Sequence, residues 1–295
     1  MDSRSSCVDD LETFPYARSI TRSDGLQLRV WEWSRSGFPV VLLHGLGHNG
    51  RIWEPVVSSD KLNRRWLAVD LRGHGGSDWS RQRCYEVENH QRDFECIFRA
   101  LNLDRIALVG HSLGAEVAAR FAASHPDCVI RLSLVDPVLR FDRAIDDLIR
   151  SQIESTPDFF NSTTEYVEWL RGCYPAGLDE MLNHLGATGL RARSDGTLEV
   201  TYDRRCAREP GNERSKSDSL LRVLSRIRCQ VQIVRGEASA VLRQSDAQSF
   251  VELNPMHAEL SVIPRSGHSI IIDNPNGLSN ALHRFLDPIK PPNYQ

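Results

Sequence analysis

Residues 106–126, Ile-Ala-Leu-Val-Gly-His-Ser-Leu-Gly-Ala-Glu-Val-Ala-Ala-Arg-Phe-Ala-Ala-Ser-His-Pro, decide the fold of this chain. Ile106 to Val109 form an unbroken apolar run, as expected of a strand buried on both faces of a parallel sheet. The run stops at Gly110, and Ala115 onward is a strong helix former. Between strand and helix stands Gly110-His111-Ser112-Leu113-Gly114, a G-x-S-x-G motif in the strand–turn–helix setting that lifts a serine hydroxyl above a sheet. The turn is too sharp for bulky neighbours, hence the glycines, and the helix that follows aims its positive N-terminal end at the same point.

The same grammar extends outward. Residues 26–33 alternate apolar and polar, as in a half-buried strand. Pro39 to Leu43 is a continuous apolar run ending at His44-Gly45-Leu46-Gly47, and Trp66 to Val69 ends at Asp70. Residues 85–101 carry apolar side chains at helical spacing, and Val129 to Val135 ends at Asp136-Pro137. Strand, loop, helix and strand in repetition predict an α/β fold with a doubly wound, mostly parallel sheet. The rhythm breaks over 138–227, where helical segments (about 142–155, 161–173, 177–187 and 213–226) follow one another. It resumes with strands at 231–234 and 260–263, and a last helix near 275–286 precedes a Pro-rich tail. Some ninety residues are too many for a plain loop. The reading is a core of 1–137 and 228–295 with a helical cap or lid at 138–227.

Composition removes several function classes. The chain has 295 residues, of which 40% are hydrophobic and 25% charged, enough for a large core and unlike a disordered segment. With 36 basic and 39 acidic residues and a net charge of −3, no excess of either sign favours nucleic acid or an anionic membrane. No apolar run is long enough to span a bilayer. The opening MDSRSSCVDD lacks the basic start and apolar middle of a signal peptide, so a cytoplasmic location is expected. Seven cysteines, at 7, 84, 96, 128, 173, 206 and 229, form no C-x-x-C pair, which argues against a disulfide framework or a zinc knuckle. Only Lys61, Lys216 and Lys290 among the basic residues are lysine, a usage that points to a GC-rich, bacterial genome. There is no H-E-x-x-H, no G-x-G-x-x-G after the first strand and no Walker loop, so neither a metal nor another cofactor is expected.

From about residue 26 to 287 the chain resembles the α/β-hydrolase superfamily, the stretch 138–227 resembling only its variable cap. His44-Gly45 is similar to the family's oxyanion loop. Asp70-Leu-Arg-Gly-His-Gly-Gly-Ser77 is similar to its D-x-x-G-x-G-x-S loop, and Ser266-Gly267-His268 to its catalytic histidine. The resemblance implies Ser112 as nucleophile, His268 as general base, and the backbone N–H groups of Leu46 and Leu113 as oxyanion donors. The acid departs from the commonest pattern. After strand 231–235 the family tends to read G-x-x-D, whereas here Gly236-Glu237-Ala238-Ser239 has no aspartate, and Asp246 lies deeper. A subset of the family places the acid at the end of the strand after the nucleophile helix, about 24 residues beyond the serine; Asp136 fits that position, with Glu237 the alternative. Asp70 and Arg72 are read as holding their loop together. The relatives that carry aspartate in place of the serine, haloalkane dehalogenases and epoxide hydrolases, fit less well.

His44, Trp53, His111, Phe159, Tyr166 and Trp169 are candidates for the substrate pocket, with His44, His74 and His111 also suited to fixing loops by hydrogen bonds. Further aromatics of the insertion, Phe141, Phe160 and Tyr174, either pack the cap or make the pocket apolar, and Trp79 is placed to close it. Arg171, Arg191, Arg193, Arg204 and Arg205 are candidates to recruit a carboxylate. The expected function is hydrolysis of a carboxylic ester, thioester, lactone or activated amide through an acyl-enzyme, on a small molecule with an apolar portion. The same scaffold also suits an acyltransferase or cyclase, a cofactor-free lyase, or a small-molecule receptor.

Overall fold

Alternation along the central strands explains why both faces of the sheet are covered. In β3 (Phe38–Leu43), Val40 and Leu42 enter one hydrophobic cluster and Val41 and Leu43 the other, because successive strand side chains point to opposite faces. The computed structural model describes residues 15–60, 64–140, 142–207, 220–254 and 256–287. Cys7, Lys61, Phe141, Lys216, Lys290, the Pro-rich tail and the first part of the helix expected at 213–226 lie outside them.

An antiparallel pair, β1 (Tyr16–Thr21) and β2 (Gln27–Glu32), opens the chain. After β3 come α1 (Glu54–Ser58), β4 (Arg64–Asp70), α2 (Val87–Ala100), β5 (Ile106–His111), α3 (Leu113–Ser124) and β6 (Val129–Val135). The next stretch holds α4 (Arg143–Glu154), α5 (Thr163–Cys173), α6 (Asp179–Thr188), the short antiparallel hairpin of β7 (Leu190–Ala192) and β8 (Leu198–Val200), and α7 (Leu220–Leu224). The chain then returns through β9 (Gln230–Gly236), α8 (Gln244–Leu253), β10 (Ala258–Ile263), α9 (Ile270–Asp273) and α10 (Pro275–Leu286). The eight-stranded sheet has the order β1-β2-β4-β3-β5-β6-β9-β10, parallel from β4 onward. No helix among the described residues is long and apolar enough to cross a membrane.

Two strand assignments differ from the sequence reading. The segment before residue 26, where the sequence reading placed no strand, contains β1, an edge strand whose sequence YARSIT has only Ile20 buried, so its pattern is too polar to announce a strand. The stretch expected to be helical also contains β7 and β8, three residues each with one charged residue apiece, whose pairing is extended by a bridge from Phe160 to Leu198. Side chains of this stretch, among them Tyr166, Val167, Leu170, Met181 and Leu185, join the same cluster as α1 and α10.

Parallel strands align their carboxyl ends, and in an open α/β sheet that edge is where sites form. Gly110 of β5 pairs with Leu134 of β6, Val135 with Val234 of β9, and Gly236 with Ile263 of β10. The residues just beyond these pairs are therefore neighbours although far apart in sequence. Close approach at the β5–α3 turn depends on two glycines. A methyl group on Gly110 would overlap the carbonyl of Gly114, and one on Gly114 would overlap Leu43 O and stand 2.7 Å from His44 O. Gly114→Ala is expected to cost at least about 2 kcal/mol through forced backbone shifts. Urea unfolding measures it; a loss under about 0.5 kcal/mol would mean that α3 does not need to sit this close to β3.

Candidate active site

Ser112 occupies the turn between β5 and α3 with φ +52° and ψ −113°. For a non-glycine residue such a conformation costs on the order of 1–3 kcal/mol. Hydrogen bonds hold it there: Ser112 N donates to Val135 O (3.1 Å), while Ala115 N and Glu116 N donate to Ser112 O (3.0 and 3.2 Å). At the end of β10 the chain turns through Arg265, also at positive φ, and presents His268. At the end of β6, Asp136 takes φ +46°, a conformation aspartate tolerates better than most residues.

These three side chains meet. His268 Nδ1 lies 2.7 Å from Asp136 Oδ2, and His268 Nε2 lies 3.0 Å from Ser112 Oγ. A carboxylate only accepts, so Nδ1 carries the proton and Nε2 is left to accept from the serine hydroxyl. Asp136 is fully buried, yet its oxygens are well supplied with donors. Oδ1 accepts from Gly236 N (3.2 Å), and Oδ2 accepts from Ser239 Oγ (2.6 Å) as well as from the imidazole. Glu237, the alternative acid, is exposed and accepts from Arg265 N (3.0 Å) instead. Its position one residue past the strand end turns it away from the site.

Two residues near His268 escaped the sequence reading. Ser239 stands in the slot where G-x-x-D would put its aspartate, and that slot was the only signal. Asp273 lies on the short α9; its Oδ2 accepts from Gly267 N (2.8 Å), fixing the loop that carries His268. Burial raises the Asp273 carboxyl above the usual range, against the backbone hydrogen bond and the field of His268.

The other histidines are built into the loops. His44 donates from Nδ1 to Gly45 O (2.7 Å) and accepts at Nε2 from Leu71 N (3.0 Å). His74 donates from Nδ1 to Arg72 O (3.0 Å) and accepts at Nε2 from Gly47 N (3.1 Å). They thus cross-link the loop after β3 to the loop after β4. Asp70 closes the latter, accepting from Gly50 N (2.6 Å), Gly76 N (2.8 Å) and Trp31 Nε1 (3.1 Å), and Arg72 grips Asp93 with two bonds. His111 donates from Nε2 to the backbone oxygen of His268 (3.0 Å), and its other nitrogen lies against Gly45. His44 and His111, both pocket candidates, are therefore engaged in holding the frame.

The remaining pocket candidates each have surroundings of their own. Trp53 is fully buried in the core beneath the loop, because the 3-10 turn of residues 50–53 and α1, which continues it, turn Ile52, Trp53, Val56 and Val57 inward together. Phe159 is 49% exposed. Tyr166 and Trp169 stack at 5.8 Å, with Phe160 edge-on to Tyr166 at 4.9 Å, packing the insertion itself. Tyr174 does reach the loop after β3, its hydroxyl 3.5 Å from His48 Nε2, and Ile153 and Tyr202 lie over Gly47. Trp79 lies under Arg191 instead. The five arginines read as possible carboxylate hooks each face an acid: Arg171 with Asp179, Arg191 and Arg193 with Glu199, Arg204 with Asp158, and Arg205 with Asp203.

Comparison with known proteins places this geometry in context. The model of the alpha/beta hydrolase family matches residues 40–281. A 2-(acetamidomethylene)succinate hydrolase of Mesorhizobium japonicum is 26% identical over 254 residues, covering 85% of this chain and 89% of that one. An esterase of Mycobacterium tuberculosis is 25% identical over 279 residues, covering 91% and 89%. The crystal structure of an E-2-(acetamidomethylene)succinate hydrolase superposes with a TM-score of 0.83 at 25% identity, over 92% of this chain and 99% of that one. Both named relatives are hydrolases, which supports hydrolysis in the broad sense.

Burial, with the neighbouring histidines adding to it, pushes His48 down to about 3. Burial pushes His74 down to about 4, and His44 and His111 well below 6.5. For His44 and His74 the reason is visible, since a proton on Nε2 would face a backbone N–H. Between the unfolded value near 6.5 and these folded values, the unfolded chain binds protons that the folded chain refuses. Each such histidine should lose about 1.4 kcal/mol of stability per pH unit on acidification. Asp70, raised to about 6 by burial, acts with the opposite sign and offsets one of them below that pH. Urea midpoints should fall steadily from pH 6.5 toward 4.5; a flat profile would mean that these imidazoles protonate in place.

Proposed function

Because the chain belongs to the alpha/beta hydrolase family, we propose that it is a serine-dependent hydrolase that cleaves an ester or related acyl bond through an acyl-enzyme. The observation that carries the proposal is the continuous hydrogen-bonded line from Asp136 through His268 to Ser112, at 2.7 and 3.0 Å. Ser112 Oγ attacks the acyl carbon while His268 Nε2 takes its proton, and the proton then passes to the leaving alcohol, thiol or amine. Asp136 holds the imidazole in the required tautomer and stabilises the imidazolium. Water, deprotonated by the same imidazole, attacks the acyl-enzyme, and Ser112 regains its proton.

The developing oxyanion falls to the N–H groups of Leu46 and Leu113. Leu113 is the first residue of α3 and has no acceptor within the helix. In the loop after β3, Gly47 N is given to His74 and His48 N to Gly45 O (3.3 Å), which singles out Leu46 N. Within 138–227, the described residues 142–207 act as the cap over this edge of the sheet. The pairing of the five arginines supports a substrate whose acyl part is apolar and uncharged, closer to that of an esterase than to a succinate derivative.

Labelling with a fluorophosphonate probe, followed by peptide mapping, is expected to modify Ser112 alone. Ser112→Ala should abolish both labelling and turnover of p-nitrophenyl esters in protein that remains folded by circular dichroism. Asp136→Asn should lower the rate on the order of a thousandfold or more. Folded parent that neither labels nor turns over esters would remove the serine mechanism.

A further inference from the structure

Ser239 is buried beside Asp136 and, among the described residues, is the one side-chain hydroxyl on its carboxylate. A serine hydroxyl has one proton to give and two lone pairs to receive with. Both acceptor positions of Ser239 Oγ are occupied, by Val241 N at 3.2 Å and Leu242 N at 3.1 Å. Its proton is therefore committed to Asp136 Oδ2, at 2.6 Å. That oxygen is also the one that faces His268 Nδ1 at 2.7 Å. The turn after β9 thus delivers two backbone N–H dipoles, through one hydroxyl, onto the oxygen that faces the imidazole.

We propose that Ser239 is a positioning residue of the site: it fixes the Asp136 carboxylate and weakens its hold on the His268 proton. This rests on the serine-hydrolase reading above. A donor on Oδ2 spreads the carboxylate charge and stabilises its ionised form. The imidazolium of His268 is then held less tightly than it would be by a carboxylate without that donor. The groups facing this pair are Asp136 and Gly236 N on the sheet side and Ser112 at the other end of the imidazole. The His111 ring lies 5.0 Å from that of His268, and Asp273 and His48 are close enough to act on it or through it electrostatically. Among the described residues, only Ser239 puts a hydroxyl proton on Oδ2. Without it Asp136 keeps more of its charge on the oxygen that faces Nδ1 and holds the imidazolium more tightly.

The test is the second-order rate of fluorophosphonate labelling as a function of pH, which reads the reactivity of Ser112 without knowledge of the natural substrate. In Ser239→Ala the acidic limb should move up by about one pH unit, and the plateau rate should fall roughly tenfold. Ser239→Thr, which keeps the hydroxyl, should return the limb to its parental position. Ser239→Cys, a weaker donor of similar shape, should move it in the same direction as alanine and carries the test if the alanine variant does not fold. A limb that stays in place in folded Ser239→Ala or Ser239→Cys overturns the proposal, as does a threonine variant that behaves like alanine. Ser112→Ala separates the two levels. If it abolishes labelling while the Ser239 variants match the parent, only the role of Ser239 is lost. If labelling persists in Ser112→Ala, the serine mechanism itself is lost.

Discussion

The whole site hangs on one turn. Between a strand with six buried residues and a helix packed against β3, the chain has room for a single strained residue, and Ser112 is that residue. Its backbone is held from one side by β6 and from the other by the first turn of α3. Since β6 supplies both the carbonyl that fixes Ser112 and the aspartate that ends the strand, Ser112 and Asp136 are set by the same neighbour. His268 needs only to reach the gap between them, and the loop that carries it is fixed by Asp273 at Gly267 N and by His111 at its own carbonyl.

A second layer of order comes from imidazoles that are kept neutral. His44 and His74 each donate from Nδ1 to a backbone oxygen of their own loop and accept at Nε2 from a backbone N–H of the other. Neutral imidazole suits this task because it offers one donor and one acceptor on a rigid ring. The loop that holds Leu46 is thereby braced from the loop that ends in Ser77, whose hydroxyl in turn binds Asp70 O. This gives a physical reason for the histidines and glycines of the 70–77 motif: they hold the shape of the neighbouring loop and need not touch substrate.

Much of this was legible in the sequence, for reasons that differ by element. Strands β3 and β5 are apolar on both faces and, like β6, end abruptly in polar residues, so their ends and the residues there could be read directly. β1 could not, since an edge strand with one wet face looks like a loop, and β7 and β8 are too short and too charged to show a period. Ser112 and His268 were carried by local motifs. Ser239 and Asp273 were not, because a serine or an aspartate acquires its meaning from a partner more than a hundred residues away, or from a loop geometry that no pattern spells out. Trp53 misled for the opposite reason: an aromatic beside the first loop suggests a pocket wall, but the helical turn from Ile52 to Val57 rotates it into the core.

The location of the acid is where sequence and structure together say most. Once β9 carries serine in the G-x-x-D slot, a carboxylate for His268 must come from an adjoining strand end, and only β6 is adjacent to both β5 and β9. A carboxylate there is entirely shielded from water, so it requires donors from its surroundings to remain an anion. β9 provides them, through Gly236 N and through Ser239. The position where the common pattern would put an aspartate thus holds a donor for the carboxylate at the end of β6, beside those from Gly236 N and the imidazole. Glu237, one residue from the strand end, illustrates the alternative, for a longer acid on the exposed side of the turn finds a backbone N–H of its own and never faces the imidazole.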